Sequence, residues 1–200
     1  MTDTLNGDEK REVLKQFNHR LNNDLQALMA FMKLQKRFGI DDEEIVNFSY
    51  VSIASISAIQ NLMYNSKDDL ICTRDFLNEF LKILNDHYMR DGIAFSNDSE
   101  DDIRIRPKAM FHLMMLLNEM IDLSFEFSFE GVTDKKISFR VEENGDECLL
   151  TYSDNGSGIS QPLKDSEMRM LLFDQLVHQI DGTSEFVNCN TVSVRCSHEF

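Results

Sequence analysis

The first third of the chain carries apolar residues at helical spacing. Over residues 8–37 they recur at intervals of seven, four, three and four positions, which is the seam of a coiled-coil-like helix. The seam residues are Leu14, Leu21, Leu25, Leu28 and Met32. Gly39 then predicts the end of this helix, and Asp41 with Glu44 predicts a capping box that opens a second helix reaching about residue 65. The inward side chains predicted for the second helix are Ile45, Phe48, Ile56, Ile59 and Met63.

Two long helices joined by a short loop predict an antiparallel hairpin. A hairpin alone cannot bury both apolar seams, and the usual solution is a four-helix bundle, made here by two copies of the chain. The pattern breaks in NSKDD, residues 65–69. We therefore predict a dimerisation hairpin over residues 1–68 and a second domain over residues 69–200.

The second domain alternates between helical and strand patterns. The predicted helices span residues 73–90, 107–125 and 168–180, and the predicted strands span residues 92–97, 136–144, 147–154, 184–188 and 191–197. Pro107 suits the first turn of its helix, and Asn144 with Gly145 predicts the turn of a hairpin. The order predicts an α/β sandwich with helices on one face of a mixed sheet, and so an α + α/β chain overall.

Composition and charge narrow the classes of partner. The hydrophobic share of 42% is enough for a packed core, while the net charge of −15 argues against nucleic acid and against an acidic membrane surface. The opening MTDTLNGDEK has neither a basic nor an apolar leader region, and no run of 18 apolar residues occurs. Four cysteines without CxxC spacing are typical of reduced thiols. We expect a cytoplasmic protein without a bound metal, a nucleic-acid partner or a membrane partner.

The first candidate for chemistry is His19, in the stretch FNHRLNNDLQ. It lies beside the helical seam, at a position that faces solvent. A neutral imidazole is a competent nitrogen nucleophile, and a partner's phosphoryl group can reach an exposed one. A surface histidine without a function is the alternative that the spacing leaves open.

The segment HRLNNDLQ, residues 19–26, resembles the H-R-V-K-N-N-L-Q-like phosphoacceptor box of one branch of sensor histidine kinases, close to the HWE kinases. Six of its eight positions match if a leucine counts for the valine. The resemblance implies that His19 is the phosphorylated residue. Arg20 could then offset phosphoryl charge, and Asn23, one turn on, could orient the imidazole. Gln16 stands where the family often has the glutamate that would serve as a general base in autophosphorylation.

A second motif is YSDNGSGI, residues 152–159, at the end of a predicted strand. Alone it is typical of any Asn-Gly turn. After a phosphoacceptor hairpin it resembles the G1 box of the GHKL (Bergerat-like) ATP-binding fold. The resemblance implies that Asp154 reads the adenine amino group and that Gly156 and Gly158 line the nucleotide pocket.

Other parts of that ATP-binding signature are altered. LLNEMIDLSFEF, residues 116–127, resembles the family's N box and retains Glu119, but Leu123 replaces the asparagine that would coordinate Mg²⁺. A leucine cannot ligate a hard cation, which requires oxygen. Where glycines should open the next helix over the phosphates, the chain has Glu167, Met168 and Arg169. We therefore expect a degenerate ATP-binding-like domain, with neither Mg²⁺ nor ATP as a cofactor.

Three functions fit these features. The first is a histidine phosphotransferase of the ChpT-like type, a homodimer carrying phosphate on His19 to or from receiver-domain aspartates of response regulators. The second is a histidine kinase without its own sensor, autophosphorylating from ATP. The third is a non-catalytic scaffold that binds receivers or acts like an anti-sigma factor.

Overall fold

The computed structural model describes residues 7–66, 70–99, 103–145 and 147–197. The helices are α1 (Gly7–Arg37), α2 (Asp42–Asn65), α3 (Thr73–His87), α4 (Pro107–Leu123), a π-helical segment (Ser124–Ser128), α5 (Ser160–Asp165) and α6 (Glu167–Gln179). The strands are β1 (Ile71–Cys72), β2 (Ile93–Asn97), β3 (Arg104–Ile105), β4 (Lys135–Asn144), β5 (Glu147–Asp154), β6 (Thr183–Phe186) and β7 (Thr191–Ser197). The side chain of Leu14 and residues 67–69 of the predicted domain boundary lie outside the described residues.

Helices α1 and α2 form the predicted hairpin. Gly39 ends α1 with a φ of +80°, and the amide of Ile40 donates to the Gln35 carbonyl at 3.1 Å, which satisfies a terminal carbonyl. The predicted capping box is only half present. The Asp41 carboxylate accepts from the amide of Glu43 at 2.8 Å, but the Glu44 side chain turns away from the cap to an ion pair described below.

Five strands form a mixed sheet in the order β2-β4-β5-β7-β6, with β2 parallel to β4 and every other neighbour antiparallel. Alternate residues of β5 are buried, as the period of two requires: Cys148, Leu150, Tyr152 and Asp154. Strand β4 ends at Asn144, where the predicted strand ends. Asn144 pairs with Glu147, so the turn begins at Gly145 and does not include Asn144 as predicted. The predicted α/β arrangement is confirmed.

Helix α4 is buried on nearly every side and joins the hairpin to the sheet. The Asn118 amide group donates to the Phe48 carbonyl at 2.8 Å and contacts the Ser52 hydroxyl at 3.1 Å. Phe48, Ile56 and Ile59 of the hairpin belong to the same hydrophobic core as α4. The seam of α2 is therefore covered by α4 of its own chain, and dimerisation through a four-helix bundle stays a prediction.

Some features escaped the sequence patterns. Strands β1 and β3 pair over two residues each, and α5 occupies the segment before α6.

Among the described residues one helix, over Asp42–Tyr64, is long and apolar enough to cross a membrane. Half of its apolar window is buried inside the molecule.

Candidate functional site

His19 lies exposed on α1, where the seam geometry predicted it. It opens onto a cleft of about 570 Å³ that also contains the other two predicted site residues, Arg20 and Asn23. The remaining lining residues are Gln16, Asp24, Ala27, Lys108, Phe111 and His112. The three residues chosen from the sequence are thus brought together, because they lie within about one helical turn of each other on α1.

The first turns of α4 contribute a wall of this cleft that the sequence analysis missed. Lys108 brings an ammonium group to the cleft of His19. His112 is unsuited to act as a second phosphoacceptor, because its Nδ1 donates to the Lys108 carbonyl at 3.0 Å and its Nε2 contacts the Gln179 side-chain amide at 2.7 Å. Burial lowers the pKa of His112 to about 4, so its ring is neutral at pH 7.

Arg20 and Asp24 lie at the inner side of the cleft. Arg20 is half-buried, and its Nη1 contacts the Met63 sulfur of α2 at 2.9 Å, which directs the guanidinium towards the second helix of the hairpin. Asp24 is buried, and the loss of hydration raises the pKa of its carboxyl to about 6, although the nearby Arg20 opposes the shift. The cleft therefore combines the imidazoles of His19 and His112 with two cationic side chains and a carboxyl whose pKa lies below neutrality.

The second candidate, Asp154, lies buried at the end of β5 with both carboxylate oxygens engaged. Oδ1 accepts from the Ser128 hydroxyl at 2.6 Å, from the Gly156 amide at 2.8 Å and from the Asn190 amide group at 3.3 Å. Oδ2 accepts from the Ser124 hydroxyl at 2.9 Å. Oδ1 therefore carries three hydrogen bonds and Oδ2 one.

Gly156 and Gly158 lie against protein backbone. A Cβ atom on Gly156 would come within 2.1 Å of the Ser128 carbonyl oxygen, and one on Gly158 within 2.3 Å of the Cys189 carbonyl oxygen. Gly158 also has a φ of +99°, which favours glycine. Close packing of this loop on the π-helical segment and on the Cys189 backbone therefore accounts for both glycines.

The residues at the altered ATP-binding positions form a buried ion-pair cluster. Arg169, in the first turn of α6, pairs with Glu44 of α2 at 2.5 Å, with Glu119 of α4 at 3.4 Å and with Glu126 of the π-helical segment. Arg169 is 3% exposed and Glu119 is fully buried. Burial raises the pKa of Glu119 to about 7 against the opposing effect of Arg169. One guanidinium thus ties the hairpin to two elements of the second half.

The cleft of His19 and the environment of Asp154 lie at opposite ends of α4. Lys108 lines the cleft, while Ser124, just beyond the last turn of α4, donates to Asp154. Sixteen residues of helix separate Lys108 from Ser124, which at 1.5 Å per residue is about 24 Å.

Comparison with known proteins gives the context for this geometry. Residues 16–88, which include His19 and most of the hairpin, match the family model HisKA_2, described as histidine kinase. The sensor histidine kinase PdtaS of Mycobacterium tuberculosis is 22% identical over 155 residues, covering 76% of this chain and 31% of PdtaS. PdtaS of Mycolicibacterium smegmatis is 22% identical over 153 residues, covering 75% of this chain. The chain spans about a third of the length of these relatives.

Solved structures show the same fold. The histidine kinase domain of the blue-light activated histidine kinase EL346 from Erythrobacter litoralis superposes with a TM-score of 0.67 at 13% identity, covering 92% of this chain and 90% of that domain. The histidine kinase AdeS of Acinetobacter baumannii superposes with a TM-score of 0.52 at 14% identity, covering 90% of this chain and 98% of that one. The chain therefore has the fold of these structures, with a helical N-terminal region and a C-terminal α/β domain resembling histidine kinase catalytic domains.

Proposed function

We propose that this histidine kinase-like chain is a histidine phosphotransferase of two-component signalling, which carries a phosphoryl group on His19 between receiver-domain aspartates. The observation that carries the proposal is the contrast between the two candidate sites. The cleft of His19 is open and lined by two cationic side chains, whereas the positions that the resemblance assigns to an ATP site carry the Arg169 cluster, buried Leu123 and a hydrogen-bonded Asp154.

The transfer step is a nucleophilic substitution at phosphorus. A ring nitrogen of His19 attacks the phosphorus of the receiver's aspartyl phosphate, a nitrogen–phosphorus bond forms, and the acyl oxygen–phosphorus bond breaks to release the aspartate carboxylate. Return of the phosphoryl group to another receiver reverses these changes. Both species are reactive phosphoryl donors, so catalysis consists mostly of positioning and charge neutralisation.

The residues of the cleft have distinct roles in this proposal. His19 is the nucleophile, and Arg20 with Lys108 offsets the charge on the transferring oxygens. Asn23, four residues after His19 on the same helix, holds the orientation of the imidazole. A receiver would dock beside α1 over the exposed side of His19, and a homodimer would present two such clefts.

The side chains at the ATP-binding positions favour the phosphotransferase proposal over a working kinase. Leu123 offers no ligand to Mg²⁺, and Arg169 occupies the first turn of α6, where the resemblance puts the phosphates. We therefore expect this domain to have no resident nucleotide, and Mg-ATP not to label the chain.

The test is to mix the purified protein with receiver domains that carry radiolabelled aspartyl phosphate. We expect acid-labile label on the wild-type chain within seconds for one or two receivers. His19→Ala and His19→Gln should lose the label, while His178→Ala, at an exposed histidine of α6, should keep it.

Incubation with labelled Mg-ATP separates the alternatives. If label reaches His19 from ATP and from no receiver, the chain is a kinase and the phosphotransferase proposal is wrong. If neither donor labels the chain and His19→Ala still binds receivers as the wild type does, the chain is a scaffold.

A further inference from the structure

A second cavity lies where the hairpin meets the C-terminal half. It has a volume of about 350 Å³ and is separate from the cleft of His19. Its lining residues are Asp41, Glu43, Glu44, Asn47, Tyr88, Asp91, Asp122, Phe125 and Glu126. Six of these nine side chains are carboxylic acids and none is basic. Below, this cavity is called the junction pocket.

The deep end of the junction pocket has more carboxyl groups than cationic groups. Glu44, Glu126 and the adjoining Glu119 all form their ion pairs with one guanidinium, that of Arg169. Asp122 adds a fourth carboxyl group beside them. Buried carboxylates in excess of their cations are costly, so this end of the pocket favours a further cation.

Two buried polar atoms at this end have no hydrogen-bond partner. Asp122 is 4% exposed and its Oδ2 is unpaired, and Tyr88 is 6% exposed with an unpaired hydroxyl. The two side chains lie near each other but do not reach hydrogen-bond geometry. Buried groups of this kind are nearly always satisfied in folded proteins, and both residues line the pocket.

The rim and the wall define the shape of a suitable ligand. Asp41, Glu43 and Asp91 place further carboxylates among the lining residues. The rings of Tyr88 and Phe125 stack with their centroids 4.9 Å apart and form an apolar wall. Among the described residues no group of three or more His, Cys, Asp or Glu has the geometry to hold a metal ion. Carboxylates around an apolar wall suit separated ammonium charges on an apolar chain.

We propose that the junction pocket binds an aliphatic diamine, with one ammonium group held by Asp122 and the Tyr88 hydroxyl and the other by the carboxylates of the rim. The methylene chain of the ligand lies along the wall of aromatic rings. Because the pocket is built from α2 on one side and from α3, α4 and the π-helical segment on the other, the ligand stabilises the packing of the hairpin on the C-terminal half.

Binding of the diamine is coupled to ionisation of Asp122. Burial, with Glu119 and Glu44 nearby, raises the pKa of this carboxyl well above its ordinary range, so an ammonium ligand displaces a proton and affinity falls as the pH is lowered. The charged or titratable groups around Asp122 and the wall are Glu44 of α2, Tyr88 and Asp91 after α3, Glu119 of α4, Glu126 of the π-helical segment, Lys135 of β4 and Arg169 of α6.

Calorimetric titration of the full chain with 1,4-diaminobutane tests the proposal. The titration is made at about pH 8 in about 150 mM salt, which screens the general attraction of an acidic protein for cations. We expect one site per chain, with proton release detected as a dependence of the heat on the buffer. Asp122→Asn, which keeps the shape of the side chain, should weaken binding by about tenfold or more.

Two further variants keep the test decisive. Glu43→Gln alters an exposed rim residue and should weaken binding several-fold without affecting the core. If Asp122→Asn fails to fold, the result for Glu43→Gln tests the proposal. Asp174→Asn, on the exposed side of α6, should bind like the wild type. Equal binding by wild type, Asp122→Asn and Glu43→Gln would overturn the proposal, as would equal binding of ethylamine or Mg²⁺, because these results indicate counterions attracted by net charge alone.

Discussion

At the scale of single residues, Asp24 makes stability depend on pH. Because the pKa of its carboxyl rises from about 3.8 to about 6 on folding, the folded chain holds a proton that the unfolded chain has lost between these values. The extra proton stabilises the folded chain at low pH, and this stabilisation is lost as the pH rises from about 3.8 to about 6. We expect Asp24→Asn to raise the free energy of unfolding by roughly 2 kcal/mol at pH 7.5 and by much less at pH 4.5.

Urea unfolding of wild type and Asp24→Asn at the two pH values measures this difference. Asp174→Asn, an exposed counterpart, should leave the free energy of unfolding within about 0.5 kcal/mol of the wild type at both. A stabilisation by Asp24→Asn that is equal at pH 4.5 and pH 7.5 would show that titration of Asp24 is not its cause.

Arg169 gives a second prediction at this scale. Arg169→Met should lower the free energy of unfolding by roughly 3–5 kcal/mol at pH 8, because it leaves buried carboxylates without their cation. The loss should be smaller at pH 5, where Glu119, with a pKa of about 7, is protonated. Denaturant unfolding at both pH values checks this. The matched change Arg195→Met, in an exposed pair 3.8 Å from Glu185, should cost no more than about 1 kcal/mol.

At the scale of elements, substitutions in the loop after β5 test whether close packing or ligand binding requires its glycines. Gly156→Ala should lower the free energy of unfolding by about 3 kcal/mol or more, since the new methyl group would lie 2.1 Å from the Ser128 carbonyl oxygen. Gly145 has a φ of +67° but open space around it. Gly145→Ala should therefore lower the free energy of unfolding by only roughly 1–2 kcal/mol. Thermal unfolding without nucleotide compares the two. If Gly156→Ala were as stable as the wild type, the loop would be open enough to admit a ligand.

Elements long enough to show a period were predictable from the sequence, and those decided by distant partners were not. The seams of α1 and α2 and the alternation in β4 and β5 follow from local spacing. Strands β1 and β3 have two residues each, too few to show alternation. Glu44 was expected to complete a local cap, but Arg169, 125 residues away, provides a full opposite charge and takes its side chain instead.

The candidate site shows the same limit at the scale of the whole molecule. The exposure of His19 follows from its position beside the seam of one helix, so the sequence was sufficient to predict it. Lys108 enters the same cleft only because α4 packs against α1, and nothing in its local sequence indicates that contact. The alterations at Leu123 and Arg169 were visible in the sequence, but the ion pairs that fill the space were not, since their partners come from three separate elements.

The assembly of the molecule gives the last prediction. Because α4 covers the inner seam of α2, a homodimer has to use another face or displace α4. Val46, Tyr50 and Ile53 are each more than half exposed and, spaced four and three residues apart, form an apolar stripe on α2. We expect sedimentation velocity to show dimers at micromolar concentration. Ile53→Glu should convert them to folded monomers. Val187→Glu, which places the same charge at an exposed apolar residue after β6, should leave them as dimers. If the wild type sediments as a monomer, the proposed bundle is wrong, and α4 does within one chain what a second hairpin was expected to do.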